Sequence, residues 1–169
     1  KNRTVMSDLI AYGDANQIYA NYKADALIST LLDSACTLTP STFSELDASN
    51  NVQKVVDGEN RDEIDFKTVT LVLDSKVIIS VKVYCPNAEG YSVKVNLAGT
   101  DYIYPVSELE PIEGEDGYYY LNFEEVRASQ FDEVVTVSFL NAEGAQISRT
   151  LEYSVCSYIQ RNQNSSNTN

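Results

Sequence analysis

Between residues 5 and 22 the apolar side chains fall at Val5, Leu9, Tyr12, Ala15, Tyr19 and Tyr22, with Met6 and Ile10 alongside. This is the three-and-four spacing of an amphipathic helix. The stripe Leu9, Tyr12 and Tyr19 is expected to dock on the body of the protein. Gly13 lowers helix propensity by about 1 kcal/mol relative to alanine, which predicts that a neighbouring element comes close to the backbone there. A shorter helix is expected over residues 25–32, with Leu27, Ile28, Leu31 and Leu32 inward, ending before Thr39-Pro40.

The texture then turns to Ser, Asp, Asn and Gly as far as residue 65, too polar for a core and suited to a long surface connection or an irregular edge strand. From residue 66 the period changes to two. Strands are predicted over residues 66–73, 76–85, 91–97, 102–104, 118–123, 134–140 and 145–153. Seven short strands with turn punctuation predict a mainly β fold with N-terminal helices, an Ig-like antiparallel β-sandwich carrying a packed amphipathic helix.

The expected organisation is a helical segment over 1–38, an irregular connection over 39–65, the sandwich over 66–159, and a disordered tail or linker over 160–169. That last stretch, QRNQNSSNTN, is polar low-complexity sequence. Asn87-Ala88-Glu89-Gly90 recurs as Asn141-Ala142-Glu143-Gly144. Both are expected to be hairpin turns, in which Asn bonds to its own backbone and Gly takes a positive φ. Two independent uses of one turn solution account for the recurrence more simply than an internal duplication.

Composition narrows the range of partners. The chain has 169 residues, 43% hydrophobic and 22% charged, an ordinary balance for one folded domain. Twelve basic residues against 25 acidic give a net charge of -13, which repels phosphate backbones and anionic lipid alike. Nucleic acid is therefore not an expected partner. No apolar run approaches the twenty or so residues that cross a bilayer, so membrane insertion is not expected. Lys1-Asn2-Arg3-Thr4 has no apolar signal core, so any secretion signal would lie upstream.

Catalytic chemistry is thinly signalled. The chain has no histidine, which removes Ser-His-Asp and Cys-His catalysis and the commonest transition-metal ligand. Cys36, Cys85 and Cys156 stand far apart without metal-ligand spacing, and they read as small core residues of undetermined pairing. The run at residues 57–63 has Gly58 and Arg61 where an EF-hand loop needs other residues, so no calcium site is expected. Glu108, Glu110, Glu113, Glu115 and Asp116 read as a solvated loop. Lys67, Lys82 and Lys94 alternate with core positions and are expected to point outward, away from an intramolecular amide bond to Asn96, Asn122 or Asn141. No cofactor or metal is expected.

Tyrosine is the residue best suited to recognition here, with twelve copies and no tryptophan. Tyr118 and Tyr120 share one face of their strand and Tyr119 takes the other. Tyr91, Tyr102, Tyr104 and Tyr119 are the candidate ligand-binding residues for a glycan or a protein surface. Tyrosine is also a good strand former, which is the plainer account of all of them.

Four ordered segments carry a resemblance: VMSDLIAYGDANQIYANYKADAL, TLVLDSKVIISVKVYC, ASQFDEVVTVSF and LEYSVCSYI, spanning most of residues 1–159. Together they resemble an uncharacterised repeat module of secreted and cell-surface proteins of gut Firmicutes, although Asp14 and Asn16 stand where that module prefers alanine. The resemblance implies a non-enzymatic extracellular module, structural or adhesive, within a larger protein of a Gram-positive bacterium. Its implied partners are neighbouring domains of the same polypeptide, a glycan or a surface protein. The alternative expectation is a carbohydrate-binding module that uses exposed tyrosines.

Overall fold

The computed structural model describes residues 2–31, 54–56 and 64–164. Helix α1 spans Asn2–Ala20 and a one-turn α2 spans Ile28–Leu31. Nine strands follow among the described residues: β1 Lys54–Val56, β2 Asp65–Leu73, β3 Val77–Tyr84, β4 Ser92–Leu97, β5 Thr100–Pro105, β6 Glu110–Pro111, β7 Tyr118–Phe123, β8 Val135–Leu140 and β9 Thr150–Tyr153. Helix α3, Val155–Asn164, comes last. The calcium-like run at 57–63, Cys36 and Leu32 lie outside the described residues.

The strands form two antiparallel sheets, β1-β9-β8-β4-β5 and β2-β3-β7-β6. Leaving β1 aside, the order is that of an immunoglobulin-type sandwich, with strands A, B, E and D in one sheet and G, F, C and C′ in the other. Alternation sets which side chains face inward. In β4 the buried residues are Val93, Val95 and Leu97, and in β3 they include Ile79, Val81 and Val83. Register carries the pattern across, pairing Ile79, Val81 and Val83 with Phe123, Leu121 and Tyr119. Phe66 stacks on Phe139 at 5.3 Å and Tyr102 meets Phe123 edge-on at 5.2 Å, so aromatic contacts join the two sheets. Burial of each of these three phenylalanine rings stabilises the fold by roughly 1.5–3 kcal/mol. Arg149 adds a two-pronged ion pair to Asp65 at 3.0 and 2.7 Å.

Helix α1 packs against the 3-10 turn Ala128–Gln130, α2 and α3. The stripe that docks is Met6, Ile10, Gly13 and Gln17, all buried, whereas Tyr12 is 58% and Tyr19 92% exposed. Leu9 packs against the core as expected, partly buried, whereas the expected docking of Tyr12 and Tyr19 is corrected by about one residue of rotation. Gly13 explains the choice. A Cβ there would lie 2.9 Å from Ile28 Cδ1, 3.3 Å from Phe131 Cδ2 and 3.4 Å from the Ala128 carbonyl. The close approach expected at Gly13 is present, and it fixes which face of the helix turns inward.

Gln17 holds the chain that leaves the helix. Its side chain is fully buried, accepts a hydrogen bond from the Ile28 N–H at 2.9 Å and donates to the carbonyls of Ala26 at 3.1 Å and Lys23 at 3.5 Å. Lys23 in turn bridges Asp132 and Glu133, and Tyr22 donates its hydroxyl to Glu133. Hydrogen bonds from Lys23 and Tyr22 hold the Glu133 carboxyl below its ordinary pKa. Its contribution is therefore complete above the unfolded value of about 4.3 and is lost as pH falls through the lower folded value. Acid titration of stability followed by circular dichroism is expected to show a shallower loss below pH ~4.3 in Glu133→Gln than in the wild type. Equal slopes would show that Glu133 carries no pH-linked stability.

Two connections depart from the sequence reading. Asn141 to Gly144 does close a hairpin, with Gly144 N–H donating to Asn141 O and Ala145 N–H to Asn141 Oδ1. Its twin at Asn87 to Gly90 instead links β3 to β4, which belong to different sheets. At the C-terminal end the sandwich closes with β9 at Tyr153 and the chain turns helical. Ser154 accepts from the Ser157 N–H at 3.0 Å and Ser157 Oγ accepts from Ser154 N–H at 3.3 Å, a reciprocal cap. The helix runs on to Asn164, so residues 160–164 are helical where a disordered tail or linker was expected.

Candidate functional site

The outer face of the four-stranded sheet carries a grouped set of aromatic and charged side chains. Register puts Tyr84 opposite Tyr118, Lys82 opposite Tyr120, and Tyr120 opposite Glu110. All five alternate with the buried Val81, Val83 and Leu121 and therefore face away from the core. The Tyr84 and Tyr118 rings lie 4.8 Å apart at 44°. Lys82 Nζ stands 4.8 Å from the Tyr118 ring centre and Lys67 Nζ 5.3 Å from that of Tyr84. Lys82 also donates to Glu115. That hydrogen bond raises the Lys82 pKa above its ordinary value, so the ammonium is charged throughout the neutral range. Tyr120 is 39% exposed.

The residues singled out from the sequence take a different position. Tyr102 and Tyr104 pair with Val95 and Val93, and Tyr119 pairs with Val83, all on inward faces. Together with Tyr91 they are partly buried against the core. Their strands were identified, but the face was not, because alternation says which residues share a side and not which side is inward. The outward set Tyr84, Tyr118 and Tyr120 was legible only as the opposite parity.

Elsewhere a groove of about 630 Å³ lies between α1 and the β2–β3 turn. One wall is Val5, Leu9 and Tyr12, the other Leu73 and Val77, with Val126 and Phe131 also lining it. Asp8, Asp74, Arg127 and the ion pair of Lys76 with Glu124 mark its rim. The two recurring turns meet around a smaller cleft of about 320 Å³.

Other candidates for chemistry are occupied structurally. Lys67, Lys82 and Lys94 contact Tyr84, Glu115 and Asp101. Glu108, Glu110, Glu113, Glu115 and Asp116 are exposed. Among the described residues no three acidic or cysteine side chains gather to hold a metal ion. No helix among them is long and apolar enough to cross a membrane. Cys85 is a free thiol, and both Cys85 and Cys156 are fully buried. Burial pushes the Cys85 pKa up, against a smaller opposing effect of the Asn87 backbone. Alkylation at neutral pH, mapped by peptide mass, is expected to label Cys85 only after unfolding. Rapid labelling of Cys85 in the native protein would contradict that.

No protein-family model matches the chain, and no curated protein matches it.

Proposed function

We propose that the chain is a non-enzymatic module of a larger secreted or cell-surface protein of a Gram-positive bacterium, structural or adhesive in role. One observation carries the reading: the most distinctive residues of the sequence work as packing devices. Gly13 admits α1 to the 3-10 turn, and Gln17 ties the following turn through three hydrogen bonds. The helix and the sandwich are thereby joined, leaving an outer sheet face and an apolar helix stripe to meet neighbours. Those two surfaces suit a building block that is held by adjoining domains on one side and presents a face to an adhesive partner on another. The resemblance of its four ordered segments to a surface-protein module supports the same reading.

The test is surface labelling of intact cells with an antibody raised to the purified chain, beside cell fractionation. Labelling without permeabilisation is the expected result. Signal confined to the cytosolic fraction would overturn the proposal.

A further inference from the structure

We propose that the outer face of the four-stranded sheet binds neutral, hexose-based glycans, with Tyr120 as the stacking platform and Lys82 and Glu115 as hydroxyl partners. This names the adhesive face of the module and so rests on the surface-module reading.

A pyranose ring has an apolar C–H face and a rim of hydroxyls. The first needs an accessible aromatic ring, and the second needs donors and acceptors within reach of it. Both are present on this face. Tyr120 is exposed, with Lys82 across from it on β3 and Glu110 across from it on β6. The Lys82–Glu115 pair offers an ammonium donor and a carboxylate acceptor beside the ring. Three outward tyrosines, Tyr84, Tyr118 and Tyr120, collect on neighbouring positions of two strands.

The face is also prepared in advance. Lys82 and Lys67 sit over the Tyr118 and Tyr84 rings, and those rings contact each other. The β2 register shifts between Phe66 and Thr68, so Lys67 falls at the irregularity and its ammonium reaches Tyr84. Side chains already held lose less entropy when a ligand arrives.

Charge selects the class of glycan. Lys67 and Lys82 balance Glu110 and Glu115 locally, and the chain as a whole carries -13. An anionic polysaccharide meets long-range repulsion with no local excess of cations to offset it. A neutral one meets neither obstacle.

The experiment is an NMR titration of the full chain with β-linked hexaoligosaccharides of glucose, mannose and galactose, and with an oligogalacturonate as the anionic probe. At least one neutral series is expected to bind, with Tyr120→Ala weakening it about 10-fold or more. Tyr19→Ala, on the exposed side of α1, is expected to leave it unchanged. Lys82→Ala, expected to lose about 5-fold, serves if Tyr120→Ala does not fold. The proposal is overturned by no neutral binding up to about 10 mM, a free energy under ~3 kcal/mol. Binding that survives Tyr120→Ala and Lys82→Ala, or binding to the oligogalacturonate alone, would overturn it as well. Glycan binding without surface labelling of cells would sink only the surface-module reading, and surface labelling without glycan binding only this inference.

Discussion

Replacing Gln17 with alanine is expected to lower the unfolding free energy by about 3 kcal/mol, read from urea denaturation with an unchanged m-value. Gln17 is fully buried, and all its polar atoms are engaged with the backbone between residues 23 and 28. Truncation strands the buried Ile28 N–H, whose desolvation is then uncompensated, and also leaves a void. Gln17→Met separates the two effects, since it keeps most of the volume and none of the hydrogen bonding. It is expected to lose about 2 kcal/mol. A change under about 0.5 kcal/mol in Gln17→Ala would mean that the turn is held by other contacts.

Gly13→Leu is expected to cost about 3 kcal/mol or to detach α1 from the sandwich. The added side chain must enter a space where even a Cβ lies within 3.4 Å of Ile28, Phe131 and the Ala128 carbonyl. Ile28 and Phe131 are themselves fully buried, so neither can make way for a whole leucine side chain. Gly13→Ala is expected to stay within about 1 kcal/mol of the wild type, because the gain in helix propensity offsets a contact that a methyl shift can relieve. Ala11→Leu, on the exposed side of the same helix, is the control and is expected to change stability by less than about 0.5 kcal/mol. A fully stable Gly13→Leu would refute the close approach. Ile28 is touched by both devices, its side chain facing Gly13 and its N–H bound to Gln17, so the two substitutions are expected to be non-additive when combined.

Much of the architecture was legible in the chain itself. A period of two marked β2, β3, β4, β7 and β8 to within one or two residues, most plainly in β4, which buries alternate residues. The weight of Gly13 was legible too, since a glycine inside a strong helix pattern calls for a packing reason. Cys85 and Cys156 lay among apolar neighbours and are buried. The serine pair Ser154 and Ser157 was a helix-start signal that went unread beside the strand-like residues before it.

Tertiary structure decided what these local patterns leave open. Helix α1 carries two stripes of similar period, one through Val5, Leu9 and Tyr12 and one through Met6, Ile10 and Gly13, and both satisfy the same hydrophobic spacing. Only the approach of Ile28 and Phe131 selects the stripe with the smallest residue at its centre. The identical turns at Asn87 and Asn141 part in the same way, one joining sheets and the other closing a hairpin, because turn residues fix a local reversal and not the sheet in which the next strand pairs. For the tyrosines, alternation alone separated Tyr119 from Tyr118 and Tyr120. Which parity met solvent was settled by the second sheet, which covers Tyr119, Leu121 and Phe123 and leaves Tyr120 outside, since a strand has no inside until another layer packs against it.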